Sequence, residues 1–299
     1  MHVFLTGATG LIGSALAHEL VARGHTVTAL TRSDAPRVLH AGVRVVQNDP
    51  SVPGPWQEEL AGCDACVNLA GEPVAERRWT PERKRRIRES RVASARLVAE
   101  VVAARGPRVL VSGSAVGFYG ARGDEPIGED APPGHDFLAE VCRAWEDAAE
   151  PAARRARVVK LRTGLVLARE GGALPRMLLP FRFFMGGPIG RGDFWQSWIH
   201  LADEVGLIVW ALEDGRVAGP LNATAPEPVT NAELARAIGR ALHRPSAIPV
   251  PRKALELALG ELASVVASGQ RVLPRKALEL GYAFRFSKID AALADLLGS

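Results

Sequence analysis

His2-Val-Phe-Leu-Thr6 runs into Gly7-Ala-Thr-Gly10-Leu-Ile-Gly13 and then into Ser14-Ala-Leu-Ala-His-Glu-Leu-Val-Ala-Arg23. A short apolar strand, glycines three residues apart and an amphipathic run form the first βα turn of a dinucleotide-binding fold. Gly7 and Gly10 allow a sharp turn and a close approach of the backbone to a pyrophosphate. Gly13 lets the helix lie close to the strand, and the first amides of that helix face the phosphate charge. The alternative is a tight turn that binds nothing, and the strand before and helix after it argue against that.

Strand and helix signals keep alternating. Strands are expected at 26–31, 43–47, 65–69, 108–112 and 157–161, with helical runs at 81–104 and 136–155 between the later ones. This order predicts an α/β, Rossmann-type, doubly wound parallel sheet over residues 1–163, completed at about 200–225. Glycine pairs loosen the pattern after Thr163. Residues 164–199 and 226–299 are expected to form a smaller mixed, mainly helical C-terminal lobe on the substrate side.

The 299 residues, 47% of them hydrophobic, can bury a large core. No apolar run reaches the roughly 18 residues of a membrane span. The chain opens on a strand without the charged, apolar and cleavage regions of a signal peptide, so the expected compartment is the cytoplasm. A net charge of +4 raises the question of nucleic acid. The densest basic run, from Arg77 to Arg91, is interrupted by glutamates and lacks an aromatic-rich recognition module. It reads as a solvated helix face, or as a basic rim that attracts an anionic cofactor or substrate. Neither a nucleic-acid nor a membrane partner is expected. Cys63 and Cys66 form a Cys-x-x-Cys, but zinc would need a second ligand pair, so packing is the expected role and no metal site is expected.

The end of the second strand distinguishes the two nicotinamide dinucleotides. An acid there accepts ribose hydroxyls, whereas an arginine accommodates a 2′-phosphate. This chain reads Leu30-Thr31-Arg32-Ser33, with no acid before Asp34. NADP(H) is the expected cofactor, the alternative being that Arg32 is an ordinary surface residue.

These residues resemble the extended short-chain dehydrogenase/reductases, the sugar-nucleotide epimerase and dehydratase superfamily. Val67-Asn-Leu-Ala-Gly71-Glu72, Ser90-Arg91, Ser112-Gly-Ser-Ala-Val-Gly-Phe-Tyr-Gly120, Leu161-Arg-Thr-Gly-Leu-Val-Leu167, Trp198-Ile-His-Leu-Ala-Asp203 and Leu221-Asn-Ala-Thr-Ala-Pro226 are similar to one atypical "epimerase family" branch. Its members carry a C-terminal segment of unknown function similar to residues 273–297.

The resemblance implies that Gly7, Thr9, Gly10, Leu11, Ile12 and Gly13 meet the pyrophosphate. Thr31 and Arg32 would hold the adenosine phosphate, and Leu69, Ala70 and Gly71 would line the ribose side. Arg91 would approach the cofactor and Val166 the nicotinamide. Arg91 also reads as a solvated charge, and Leu69 and Val166 as core residues.

Typical members pair a tyrosine with a lysine four residues later. Here neither Tyr119 nor Tyr282 has such a lysine, and the matching positions hold Leu138 and Cys142. The usual proton relay is therefore expected to be missing. Ser114 matches the family's catalytic serine, and Tyr119 is the aromatic hydroxyl nearest to it. A shifted register would bring Asp136 and Glu140 forward instead.

Arg162, Trp198 and His200 are candidates for a substrate pocket. Arg162 would face an anionic substrate or pair with a core carboxylate, and His200 would act as an acid or hold backbone structure. The expected function is an NADP(H)-dependent oxidoreductase or epimerase-like enzyme acting on a small molecule, such as a sugar nucleotide or small carbonyl compound. The alternative is a cofactor-binding sensor or regulatory module with little chemistry of its own.

Overall fold

The computed structural model describes residues 1–32, 39, 41–75 and 77–298. The chain runs through β1 (His2–Thr6), α1 (Leu11–Ala22), β2 (Thr26–Thr31), β3 (Val43–Gln47), α2 (Trp56–Ala61), β4 (Ala65–Asn68), α3 (Pro81–Arg105) and β5 (Val109–Ala115). A 3-10 turn (Val116–Tyr119) leads to β6 (Gly123–Ile127), α4 (Phe137–Ala149), β7 (Arg157–Thr163), β8 (Leu165–Leu167) and α5 (Leu174–Arg182). Next come β9 (Trp195–Gln196), β10 (Trp198–His200), α6 (Leu201–Glu213), β11 (Gly219–Ala223), β12 (Val229–Thr230) and α7 (Asn231–Leu242). The chain closes with α8 (Arg252–Leu259), α9 (Leu262–Val266), β13 (Gln270–Val272), α10 (Arg275–Glu279) and α11 (Ile289–Leu297).

Seven strands form one parallel sheet in the order β11-β7-β5-β4-β1-β2-β3. The chain winds outward from β1 to β3 and then returns to β4 on β1's other side. The crevice between the ends of β1 and β4 is thus the topological switch point, where ligands of such sheets lie. Both faces of the sheet are covered, and the inner strands β1, β4 and β5 are buried along nearly all of their length. α1 and α6 share a core with Val3, Leu5, Val27, Val67, Val111 and Leu161. Trp56 and Leu60 of α2, and Leu97, Val98 and Val102 of α3, pack with Phe4, Cys66 and Leu110. Cys63 and Cys66 are buried free thiols within this second core, and the Cys63 thiol donates to the Glu59 carbonyl at 3.2 Å.

A separate core joins α5, α7 and α11 through Leu174, Leu178, Leu234, Ile238 and Leu293, with Trp198 of β10. β8 and β10 pair in parallel beside it. The pairing of β13 with β6 was not signalled by the sequence. β6 is polar and exposed through most of its length, so no alternation marks it.

α1 lies so close to β1 that a Cβ at Gly13 would stand 2.2 Å from the Gly7 carbonyl oxygen. That oxygen also accepts the Gly10 amide at 3.0 Å, so it cannot simply move aside. Gly13→Ala should therefore destabilise the fold through overpacking, by about 1–3 kcal/mol. Urea unfolding checks this, and an unchanged midpoint would show that the turn yields freely.

Candidate functional site

The glycine turn forms one end of the site. Gly7 has a φ of +70° and so occupies the left-handed region; a Cβ there would meet the Leu69 carbonyl group at 2.7 Å. Gly10 differs. Its backbone is extended, and a Cβ on it would meet only the Gly7 oxygen, at 3.3 Å. Gly10 is the N-cap of α1 and offers no side chain to the first helical amides. An open surface above uncapped amides at a helix N-terminus fits an anionic pyrophosphate. Thr9 and Gly10 are exposed, and Leu11 and Ile12 are half-buried. The backbone of Gly171 and Gly172 lies against the Leu11 side chain.

A buried ladder fixes the floor opposite this turn. The Thr6 hydroxyl donates to Asn68 Oδ1 at 2.5 Å and accepts the Ala70 amide at 3.2 Å, while the Ser94 hydroxyl donates to the same Asn68 oxygen at 2.9 Å. Thr6 and Asn68 end β1 and β4, so these bonds set the width of the crevice. Leu69, Ala70 and Gly71 follow directly, and Gly71 is exposed. Arg91 of α3 reaches this floor from below. Its Nη1 donates to the Glu72 carbonyl at 2.9 Å and the Ile87 carbonyl at 3.0 Å. The guanidinium carbon lies 5.2 Å from the Trp145 ring centre, and a Cβ on Gly71 would stand 3.0 Å from it. Arg91 is therefore a seated cation at the edge of the crevice and not a solvated charge.

Arg32 stands at the end of β2 with 65% of its side chain exposed. Its Nη1 lies 3.2 Å from one oxygen of Glu72, whose other oxygen accepts from Arg83 Nη1 at 3.0 Å. Burial works to raise the Glu72 carboxyl, but the bonds and charges of Arg32 and Arg83 outweigh it and hold the group below the usual carboxylate range. The hydroxyl of Ser33 and the acid of Asp34 lie outside the described residues. Thr31 is buried at the strand end.

The far end of the crevice differs in character. Leu138 Cβ and Cys142 Sγ of α4 lie 3.4 and 3.9 Å from a Cβ position on Gly117. Burial, and then the charge of Glu146, pushes the Cys142 thiol up to about 12, so it is neutral at physiological pH. Val166 lies half-buried on β8, in register with Ile199.

Ser114, Tyr119 and Arg162 belong to a single buried network. Arg162 grips Glu146 with two bonds, Nε to Oε1 at 2.8 Å and Nη2 to Oε2 at 2.9 Å. Its Nη1 donates to the Tyr119 hydroxyl at 2.8 Å and to the Glu129 carbonyl at 3.0 Å. The Tyr119 hydroxyl donates to Asn222 Oδ1 at 2.7 Å, and the Ser114 hydroxyl donates to Glu146 at 2.7 Å. Each hydroxyl proton is already committed. Tyr119 is completely buried, and burial pushes its phenol up to about 12. Of the two roles expected for Arg162, the structure shows the pairing with a core carboxylate. The carboxylates of this network, Glu146 and Glu129, escaped the sequence reading because no local motif marks them.

Trp198 is fully buried, and its indole donates to the Glu227 carbonyl at 3.0 Å. His200 caps α6, its Nδ1 accepting the Ala202 amide at 3.0 Å. The imidazole stacks on Phe286 at 4.0 Å, and its Nε2 lies 3.2 Å from Asp295. His200 borders a depression of about 580 Å³ among α1, α6 and α11, and no residue of the glycine turn lines that depression. Asp136 caps α4 by accepting the Ala139 amide at 2.9 Å, and Glu140 is exposed one turn on. Among the described residues no cluster of His, Cys, Asp and Glu is arranged to hold a metal, and no helix is long and apolar enough to cross a membrane.

Residues 3–223 match the model of the NAD dependent epimerase/dehydratase family, and residues 250–296 match a domain of unknown function, DUF1731. The family-specific C-terminal segment thus begins well before Leu273. The "Epimerase family protein SDR39U1 homolog, chloroplastic" of Arabidopsis thaliana is 41% identical, over 99% of this chain and 87% of the relative. The epimerase family protein YfhF of Bacillus subtilis is 37% identical, over 99% and 98%. Among solved structures, the human epimerase family protein SDR39U1 (isoform 2) with NADPH superposes with a TM-score of 0.89. It is 36% identical, with full coverage of both chains.

Removing the Arg162 cation strands the Glu146 carboxylate in the core, so Arg162→Met should cost about 3–5 kcal/mol in urea unfolding. A loss below about 1 kcal/mol would mean that water reaches the site. Glu204 of α6 is fully buried and accepts from Thr163 at 2.7 Å, and burial pushes its carboxyl up from 4.5 to about 8. The folded state therefore keeps a proton that the unfolded chain has lost. That contribution is complete below about pH 4.5 and fades as pH rises through about 8, by about 1.4 kcal/mol per unit. Glu204→Gln should remove the decline, so that the variant gains on the parent between pH 5 and 8. Parallel stability curves would contradict it.

Proposed function

Because the chain belongs to the NAD dependent epimerase/dehydratase family, we propose that it is an NADP(H)-binding oxidoreductase that exchanges hydride with a small carbonyl or sugar-nucleotide substrate and has no proton relay on α4. The observation that carries this reading is the exposed, uncapped start of α1 at Gly10, opposite the floor fixed by Thr6, Asn68 and Ser94. Gly7 through Gly13 hold the pyrophosphate there. Arg32 meets the 2′-phosphate from the end of β2, with Thr31 beside it. Leu69, Ala70 and Gly71 support the ribose side, and Arg91 supplies a cation at that edge. Val166 stands at the nicotinamide, which when bound supplies or accepts the hydride.

Leu138 offers no proton at that end, and burial keeps the Cys142 thiol un-ionised at neutral pH. The proton that accompanies hydride transfer then comes from solvent or from the substrate itself. General acid–base help is worth roughly 10²–10⁴-fold, so its loss slows such a reaction without forbidding it. The commitment of Ser114 and Tyr119 to the Arg162–Glu146 network favours a second reading, a sensor of the NADP(H) pool. Incubation with NADPH and a panel of sugar nucleotides and small carbonyl compounds separates the two. Cofactor oxidation supports the enzyme, and tight binding with no turnover on any of them puts the sensor first.

Two substitutions test the cofactor assignment through nicotinamide fluorescence. Arg32→Ala should weaken NADPH by about ten- to a hundredfold, the equivalent of one charge-assisted bond, and leave NADH within about threefold. Gly10→Val should abolish binding of both with the circular dichroism spectrum unchanged, since its branched side chain stands where the pyrophosphate approaches. Retained binding in that variant would place the cofactor elsewhere.

A further inference from the structure

An acid stands where the cofactor reading requires a phosphate. Glu72 lies 3.2 Å from Arg32 and remains 23% exposed, so a 2′-phosphate that reaches Arg32 must also meet this carboxylate. By itself an acid beside the adenosine ribose is equipment for accepting hydroxyls, the arrangement that favours NAD(H). The backbone of Glu72 cannot carry it away. Its amide donates to the Ser90 hydroxyl at 3.1 Å, and its carbonyl accepts from Arg91 at 2.9 Å.

A second cation faces it. Arg83 is only 13% exposed, and its Nη1 donates to the Glu72 oxygen that Arg32 does not hold, at 3.0 Å. Its Nη2 donates to the Pro73 carbonyl at 2.5 Å, and its amide donates to the Thr80 hydroxyl at 3.1 Å, which fixes the start of α3 under it. Arg83 borders a depression of about 220 Å³ that Arg77, Arg78, Thr80, Glu82 and Arg86 also line. The depression beside Arg83 is thus lined predominantly by cations. Two guanidinium groups share one carboxylate, one of them exposed and the other seated. The exposed one can exchange partners without leaving the carboxylate uncompensated.

We propose that Glu72 and Arg83 set the dinucleotide preference: Arg83 retains the Glu72 carboxylate when a 2′-phosphate takes its place on Arg32. Arg83 is in this sense a positioning residue, acting on the phosphate through Glu72. The inference rests on the NADP(H) reading of the site and adds to it a determinant that the strand-end rule does not include.

The test is a set of NADPH and NADH titrations on the full chain, following nicotinamide fluorescence, for the parent, Arg83→Met, Arg83→Lys, Glu72→Gln and the Glu72→Gln/Arg83→Met double variant. The parent is expected to prefer NADPH. Arg83→Met should weaken NADPH about tenfold or more and NADH by less than about threefold, because only the phosphate meets the freed carboxylate. Arg83→Lys should recover most of the loss. In the Glu72→Gln background the same Arg83→Met change should shift NADPH by less than about threefold, since no charge remains to be held. Glu72→Gln and its double variant lack that charge, so they keep the measurement interpretable if Arg83→Met is poorly folded.

Equal losses for both cofactors, or an undiminished loss in the Glu72→Gln background, would reduce Arg83 to a structural contact and overturn the proposal alone. A parent without preference for NADPH would overturn the cofactor reading first, and this inference with it.

Discussion

Taking a guanidinium and a carboxylate out of water costs several kcal/mol for each ion, and the pair recovers that only when its geometry is good and its remaining donors and acceptors are satisfied. Arg162 and Glu146, with side chains 4% and 6% exposed, meet that condition between the end of β7 and α4. Two parallel bonds join them. Ser114, Tyr119 and the Glu129 carbonyl take up the rest, and Asn222 completes the chain. This constraint reaches across β5, the 3-10 turn, α4, β7 and β11. It also extends to the C-terminal segment, where the Asn222 amide group donates to the Leu273 carbonyl and the Lys276 amide to Glu129. The sheet and the family-specific segment are therefore coupled through one buried polar assembly.

The same assembly explains why the hydroxyls most suggestive of chemistry are not free for it. A serine at the end of a central strand and a tyrosine five residues on look like a donor set for a substrate oxygen. In three dimensions their protons satisfy buried acceptors, and the desolvation penalty of leaving those acceptors unmatched would be paid by the fold. Arg162 shows the same logic. Its place at the end of β7 suits either an anionic ligand or a core carboxylate, and Glu146 on α4 decides between them.

What was legible in the sequence was local. The glycine turn and the alternation of strand and helix each depend on neighbours within a few residues, and the structure places both as the spacing implies. β6 and β13 were not legible, because a short polar strand paired across 147 positions, Gln270 with Gly123, leaves no periodic trace. Nor were the partners of Arg83 and Arg91. Both sit in a basic run that reads as a solvated helix face, and Arg85 and Arg86 do lie exposed with glutamates one turn away. Only the position of α3 over Gly71 and Glu72 separates its seated arginines from its solvated ones.

The two ends of the crevice are thus built on opposite principles. At the end beside β2, Arg32 is exposed and its bond to Glu72 can be exchanged for one to an incoming anion, while the seated Arg83 keeps the carboxylate. At the other end, the polar groups of the Arg162–Glu146 network are already bonded to one another and Leu138 offers none, so few bonds are open to exchange. Under the proposed function, chemistry at the matched end depends on the bound reactants themselves, held close, because the side chains of the network can change their protonation only by giving up the bonds that hold the sheet together.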